Sequence, residues 1–279
     1  MLQQITPLIL TYNEAPNIER TLQQLRWAPD IVVVDSFSND ATVEIASGFP
    51  KVRVVQRKFD SHENQWNFGL KETGIATEWV LALDADYFLT STGAAELDHL
   101  SPGLDIKGYR ASFVYCINGQ PLAGGIYPPV IVLYRRDLAR YCQDGHTQKL
   151  MIEGRIESLA SPILHDDRKP LKRWFQSQTL YTKLEAEKLL RADLTTLSWT
   201  DRIRRWRLLA PLAICFYCLV LKGGILDGRA GFYYAFQRTL AELMLSLYLI
   251  DHDIRYVTAS HAQEKKQQLS SSSEPVLKD

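Results

Sequence analysis

The sequence predicts an α/β fold in which helices flank a mostly parallel sheet, with a helical appendage at the C-terminal end. Three observations point to it. Short, nearly continuous apolar runs, such as Ile31-Val32-Val33-Val34 and Trp79-Val80-Leu81-Ala82-Leu83, alternate with stretches of helical periodicity. That is the pattern of strands buried on both faces between crossover helices. The runs end in polar residues: Thr11-Tyr12-Asn13-Glu14 after the first, Asp35 after the second, Asp84-Ala85-Asp86 after the fourth. Beyond residue 200 the composition shifts to apolar stretches preceded by clustered arginines.

The elements follow in order. Residues 5–10 form the first strand and 16–25 a helix, with Asn13 as a candidate cap. Residues 31–35 form a β-branched second strand, a polar turn covers 36–40, and a helix begins at Ala41. Residues 52–55 are the third strand, 61–71 a helix and 78–83 the fourth strand, too short for a helix and bounded by polar residues. From 107 to 135 the pattern turns antiparallel, with strands at 109–117 and 130–135. Between them Asn118-Gly119, Gly124-Gly125 and Pro128-Pro129 predict a flexible surface loop. Residues 171–190 have good helix formers in an amphipathic pattern. The expected organisation is a catalytic domain over 1–170, a connecting helix over 171–200, an apolar helical hairpin over 201–255 and a disordered polar tail over 256–279.

Composition narrows the function. The chain has 279 residues, 46% hydrophobic and 23% charged, enough for one large α/β domain with an appendage. With 32 acidic and 32 basic residues the formal net charge is zero, so no global field argues for nucleic acid. Cys116, Cys142, Cys215 and Cys218 lack the spacing of a metal or redox site and read as small apolar residues. The N-terminus carries no secretory pattern, which places the catalytic part in the cytoplasm.

In a parallel sheet ligands bind outside the carboxyl ends of the strands, so the strand-end residues carry the chemistry. Asp84 and Asp86, one residue apart at a strand end, offer hard oxygen ligands to Mg²⁺ or Mn²⁺, which commonly bridge to substrate phosphates. No Gly-x-Gly-x-x-Gly and no Gly-Lys-Ser/Thr loop follows the first strand. Acidic strand ends without a glycine cradle suggest that a metal carries the phosphate charge.

Leu10-Thr11-Tyr12-Asn13-Glu14, residues 33–42 and Leu83-Asp84-Ala85-Asp86 together resemble glycosyltransferase family 2 and its Rossmann-like GT-A fold. The resemblance implies an inverting transfer of a sugar from a nucleoside diphosphate donor, with uridine the expected base. It implies Tyr12, Asn13, Glu14 and Asp35 around the nucleotide, with Gln65 and Asn67 facing the donor. Asp84 would touch ribose or metal, Asp86 the metal on the diphosphate, and His165 would complete the metal site. The catalytic base falls in residues 144–150. Asp144 is the first candidate because a carboxylate is the family's usual base, and His146 the second because its pKa suits the task. Arg168, Lys169, Lys172 and Arg173 either help neutralise phosphate or form a solvated face.

Arg202, Arg204, Arg205 and Arg207, with Trp206, precede an uncharged run over 208–221 that contains Pro211 and is too short to cross a bilayer. A second run, 232–250, contains Arg238 and Glu242, and Gly223-Gly224 joins the two. This reads as a hairpin lying in the inner membrane surface, or as a homo-oligomer interface. The tail is similar to that of small bacterial family 2 enzymes that decorate lipopolysaccharide core, which implies a glycan or lipid-linked acceptor. A soluble or protein acceptor, or a non-catalytic nucleotide-sugar-binding scaffold, are the alternative readings.

Overall fold

Alternation within each apolar run decides the layers. Ile5, Ile9, Val33, Leu81 and Leu83 pack on one face of the sheet, whereas Leu8, Val32, Val34 and Val80 pack on the other. Successive side chains of a strand point to opposite faces, so a run apolar at every position is covered twice. The structure, a computed structural model, describes residues 1–144, 147–193, 195 and 197–271, the side chains of 144, 147 and 257–271 excepted.

Strand β1 (Ile5–Thr11) leads to helix α1 (Ile18–Gln23), β2 (Ile31–Asp35) to α2 (Thr42–Ser47), and β3 (Val52–Gln56) to α3 (His62–Glu72). Strand β4 (Trp79–Asp84) ends at the acidic pair and is followed by β5 (Tyr87–Leu89) and α4 (Ser91–His99). Ser61 and Thr90 cap α3 and α4, each side chain accepting from a backbone N–H of the first turn. Then come β6 (Ile106–Ala111), β7 (Phe113–Ile117), β8 (Gln120–Pro121), β9 (Val130–Arg135), β10 (Arg140–Asp144), β11 (Thr147–Met151), β12 (Arg155–Ser158) and β13 (Ile163–His165). Helices α5 (Leu171–Arg191), α6 (Trp199–Arg204), α7 (Ala210–Phe216) and α8 (Gly228–Ser271) complete the described chain.

The main sheet has the order β12-β6-β9-β4-β1-β2-β3. Strand β1 pairs in parallel with β2 and β4, and β2 with β3, while β9 runs antiparallel to both its neighbours. The core on one face draws on α1, α2 and α4, and that on the other on Trp66 and Leu70 of α3 and Tyr141 of β10. The single strand expected over 109–117 is two. Strand β6 stays in the main sheet, and β7 joins a second sheet of order β5-β13-β7-β8. That small sheet sets His165 opposite Tyr87 and beside Tyr115.

Asn13 does not cap α1. Its backbone lies in the left-handed region (φ 57°), its N–H donates to Ser38 Oγ and its Oδ1 accepts from the Asn39 N–H. Asn is among the residues that tolerate this conformation, and here it ties the ends of β1 and β2 together. Asn17 stands at the helix start instead.

The C-terminal part is a helical hairpin braced on the α/β body. Pro211 lies in the first turn of α7, where its missing N–H costs nothing. A π-helical turn, Tyr217–Leu221, and Gly223 (φ 72°) end that arm before α8. Helix α8 runs through residues expected to be disordered as far as Ser271, and 272–279 lie outside the described residues. Leu245 and Leu249 of α8 pack with Ala186 and Leu189 of α5.

The loop expected to be flexible is clasped by this hairpin. The Ala123 and Gly124 N–H groups donate to the Asp227 carboxylate at 3.0 and 2.9 Å, and the Ile126 N–H to Tyr234 Oη at 3.2 Å. The backbones nearly touch: a Cβ on Gly124 would lie 2.8 Å from Gly224 Cα. Glycine at 124 is required by that approach.

Candidate active site

Strand β4 delivers Asp84 and Asp86 to the carboxyl edge of the sheet, and pairing of β13 with β5 brings His165 beside them. His165 Nε2 lies 3.4 Å from Asp86 Oδ2. Three tyrosine rings enclose the imidazole, with centroids at 5.2 Å for Tyr87, 4.7 Å for Tyr115 and 5.0 Å for Tyr127. Tyr87 donates to Asp84, and its hydroxyl meets that of Tyr127 at 2.5 Å.

Glu14, from the turn after β1, faces the same cluster. Its Oε1 accepts from Lys169 Nζ at 2.6 Å and its Oε2 from Asn17 Nδ2 at 2.8 Å. Lys169 Nζ also lies 3.2 Å from Asp167 Oδ1 and 3.7 Å from Asp86 Oδ2. Asp166, buried next to them, takes Arg20 and Arg168 and accepts the Gly119 N–H.

Charge is set by these neighbours. Burial and the adjacent Asp86 charge raise the Asp84 carboxyl to about 6. Burial also works against ionisation of Asp86, but the His165 and Lys169 charges outweigh it and hold its carboxyl below the usual range. Burial likewise opposes charge on Lys169, yet Asp86 and Glu14 push its ammonium above its ordinary value. His165 moves up for the same reason, burial being overcome by Asp86.

The other expected site residues sit differently. Tyr12 is exposed at the rim, with the Arg173 guanidinium 4.8 Å over its ring. Asp35 is fully buried, and its carboxylate accepts from Thr11, from the Ser38 N–H and hydroxyl and from Gln56. It shapes the 36–40 turn from beneath. Gln65 is also buried, bonded to Arg57 and Ser36. Asn67 points elsewhere: its amide exchanges two 2.9 Å bonds with the Tyr141 backbone, fastening α3 to β10. Of the two base candidates, His146 and the side chain of Asp144 lie outside the described residues.

The expected metal ligands do not close around an ion as arranged. Asp86 and His165 stand together, with the imidazole Nε2 turned onto the Asp86 carboxylate. Asp84 is held by Tyr87, and Lys169 flanks the same Asp86 oxygen as His165. Among the described residues no group of three or more His, Cys, Asp or Glu side chains is placed to hold a metal. Asp86 Oδ1 is buried without a hydrogen-bond partner.

An open cleft of about 770 Å³ lies at the amino ends of the strands, lined by Met1, Trp27, Trp79 and Asp98. It is remote from the acidic cluster, and the rule for parallel sheets favours the carboxyl edge.

The acidic pair falls inside a stretch of known kind. Residues 8–93 match the model described as "Glycosyl transferase family 2". That stretch resembles glycosyl transferase family 2. A protein of Rickettsia bellii (strain RML369-C), described as an uncharacterized glycosyltransferase, is 33% identical over 110 residues, or 39% of this chain and 36% of that protein. One of Rickettsia felis (strain ATCC VR-1525 / URRWXCal2), with the same description, is 30% identical over 100 residues, or 36% of this chain and 34% of that protein. The matched segments thus span about a third of those relatives' length. Among solved structures, S. aureus TarS 1-349 in complex with UDP-GlcNAc is 14% identical, covering 90% of this chain and 92% of that chain at a TM-score of 0.44. Glucosyl-3-phosphoglycerate synthase from Mycobacterium tuberculosis, in complex with Mn2+, uridine-diphosphate and phosphoglyceric acid, is 15% identical, covering 69% of this chain and 80% of that chain at a TM-score of 0.44.

The family 2 segment contains Tyr12, Glu14, Asp35, Asp84 and Asp86, but the cluster is completed from outside it by His165 and Lys169. Sequence reasoning placed Lys169 only among several basic residues. The mixed-charge run 166–169 directly after a strand that ends in His165 is the signal that singles out this segment. Tyr87, Tyr115 and Tyr127 gave no signal, since isolated tyrosines in strands and loops ordinarily read as packing.

Proposed function

We propose that the chain is an inverting glycosyltransferase that moves a sugar from a nucleoside diphosphate donor, with uridine the expected base, to a glycan or lipid-linked acceptor. One observation carries this reading: within a family 2 segment, Asp84 and Asp86 meet Glu14, His165 and Lys169 at the carboxyl edge of the sheet. In that reaction the acceptor oxygen forms a bond to the anomeric carbon as the carbon–phosphate-oxygen bond breaks. A base takes the acceptor proton, and positive charge meets the leaving diphosphate. Asp144 and His146 remain the candidates for the base. Tyr12 at the rim offers a face on which a nucleobase stacks. Mg²⁺ or Mn²⁺, the expected source of charge, would be held by Asp86, where Lys169 flanks Oδ2 and Oδ1 is without a hydrogen-bond partner.

The test is a screen of nucleotide sugars for hydrolysis and for thermal stabilisation of the protein. A UDP-sugar should raise Tm and be slowly hydrolysed. If no nucleotide sugar shifts Tm or is turned over, the reading fails.

We also place the protein at a lipid surface on the cytoplasmic face of the inner membrane. Among the described residues no helix is long and apolar enough to cross a membrane. The hairpin nevertheless exposes Leu208, Leu212, Phe216, Leu221, Leu226 and Leu247, each more than half accessible. The expected row of four headgroup-binding arginines is halved. Arg204 is bonded to Glu242 and Arg207 to Asp253, leaving Arg202 and Arg205. The protein should pellet with anionic vesicles. Leu212→Ser, Phe216→Ser and Leu226→Ser together should lower binding by more than roughly ten-fold, since burying such a side chain contributes about 1.5–3 kcal/mol. A wild-type protein that stays in the supernatant as a dimer would make this face an interface between copies.

A further inference from the structure

We infer that the Lys169 ammonium is a built-in cation of the donor site. It stands beside Asp86 where a divalent ion would sit and meets the donor diphosphate itself, so that nucleotide binding does not require a divalent ion. The inference rests on the nucleotide-sugar reading above and says which group supplies the charge.

Four observations carry it. Lys169 is the hub of the acidic cluster: Nζ lies 2.6 Å from Glu14, 3.2 Å from Asp167 and 3.7 Å from Asp86, with the side chain only 16% exposed. Its backbone is held in place, for the Lys169 N–H donates to Asp167 Oδ1 and the preceding Arg168 N–H to Asn17 Oδ1. Asn17 in turn donates to Glu14, so the loop after β13 and the turn after β1 aim the ammonium between them. Three of the neighbouring cations are engaged elsewhere: Arg20 and Arg168 on Asp166, Arg173 over Tyr12. Finally, Asp86 Oδ2 already faces both His165 Nε2 and Lys169 Nζ, so an ion on that oxygen would meet the ammonium.

A lysine ammonium is a compact point charge with three donors, a common way to hold phosphate. A diphosphate entering the cluster exchanges carboxylate partners for phosphate oxygens without moving the loop. As the bond from sugar to phosphate breaks, charge grows on the departing oxygen, and the ammonium is positioned to offset it.

The test uses the full chain and titrates UDP, ADP and GDP by calorimetry in EDTA and again in Mn²⁺. The wild type should bind UDP in EDTA. Lys169→Met, which keeps the length and removes the charge, should weaken that binding roughly 10- to 100-fold, the usual loss on deleting a hydrogen bond to a charged group. Lys169→Arg should retain most of it. A second readout needs no nucleotide. Mn²⁺ binding to the protein alone, followed by electron paramagnetic resonance, should tighten in Lys169→Met because Glu14, Asp86 and Asp167 are released to the ion. UDP binding by wild type that appears only with Mn²⁺ would overturn the inference and leave the donor reading standing. So would Lys169→Met that matches wild type in EDTA. Failure of every nucleotide under both conditions would overturn both. The wild-type arm decides the matter even if Lys169→Met does not fold.

Discussion

Asp86→Ala should abolish sugar transfer in a protein that still folds. Asp86 sits in the turn between β4 and β5, where its side chain carries no share of the core, yet it is the acidic partner of both His165 and Lys169. On the proposed donor reading, removing it leaves Lys169 and His165 without the carboxylate that holds them where the diphosphate departs. Loss of one such preorganised contact typically costs about 3–4 kcal/mol, several hundred-fold in rate. Comparing kcat with far-UV circular dichroism and Tm checks this. Near-wild-type turnover in Asp86→Ala would move the chemistry away from the acidic pair.

The largest loss of stability is expected at Arg204. Its guanidinium bonds Glu242 at 2.8 and 3.0 Å and Glu185 and Asp201 at 3.3 Å each. Those carboxylates are 6%, 6% and 7% exposed, on three different helices. Lys188 approaches Glu185 and Asp201 at 3.6 and 3.8 Å, so Glu242 suffers most when Arg204 is removed. Breaking a buried ion pair from one side costs about 3–5 kcal/mol, because the remaining charge stays desolvated. Arg204→Gln should therefore lower the urea midpoint by a corresponding amount. Coupling Arg204→Met with Glu242→Leu should recover much of the loss, since both partners are then apolar. A change below about 1 kcal/mol for Arg204→Gln would mean that the network is still solvated.

The sheet was legible because its signals are local. Each apolar run states its own burial, and Asp84-Ala85-Asp86 follows directly from one of them. What the sequence could not give was partners. His165 reaches Asp86 through β13 pairing with β5, across some eighty residues of chain, and only a family resemblance suggested it. Asn67 on α3 and a donor-facing amide look alike as text, and contact with the Tyr141 backbone decides between them. Arg204 and Arg207 read as headgroup-binding charges because Glu242 and Asp253 lie 38 and 46 residues further on. The split of 109–117 into two sheets is likewise a tertiary choice, since both halves have ordinary strand composition.

Asp227, just ahead of helix α8, and Tyr234 within it grip residues 123–126, and that same loop lays Tyr127 on His165. The hairpin is therefore not an interchangeable cassette. A chimera carrying another protein's residues 201–271 would need the matching 118–128 segment as well. Otherwise the two ordered N–H groups at 123 and 124 would lose their acceptor and the aromatic wall around the imidazole its backing. Recombination along this chain is free only at boundaries that keep those two segments in the same parent.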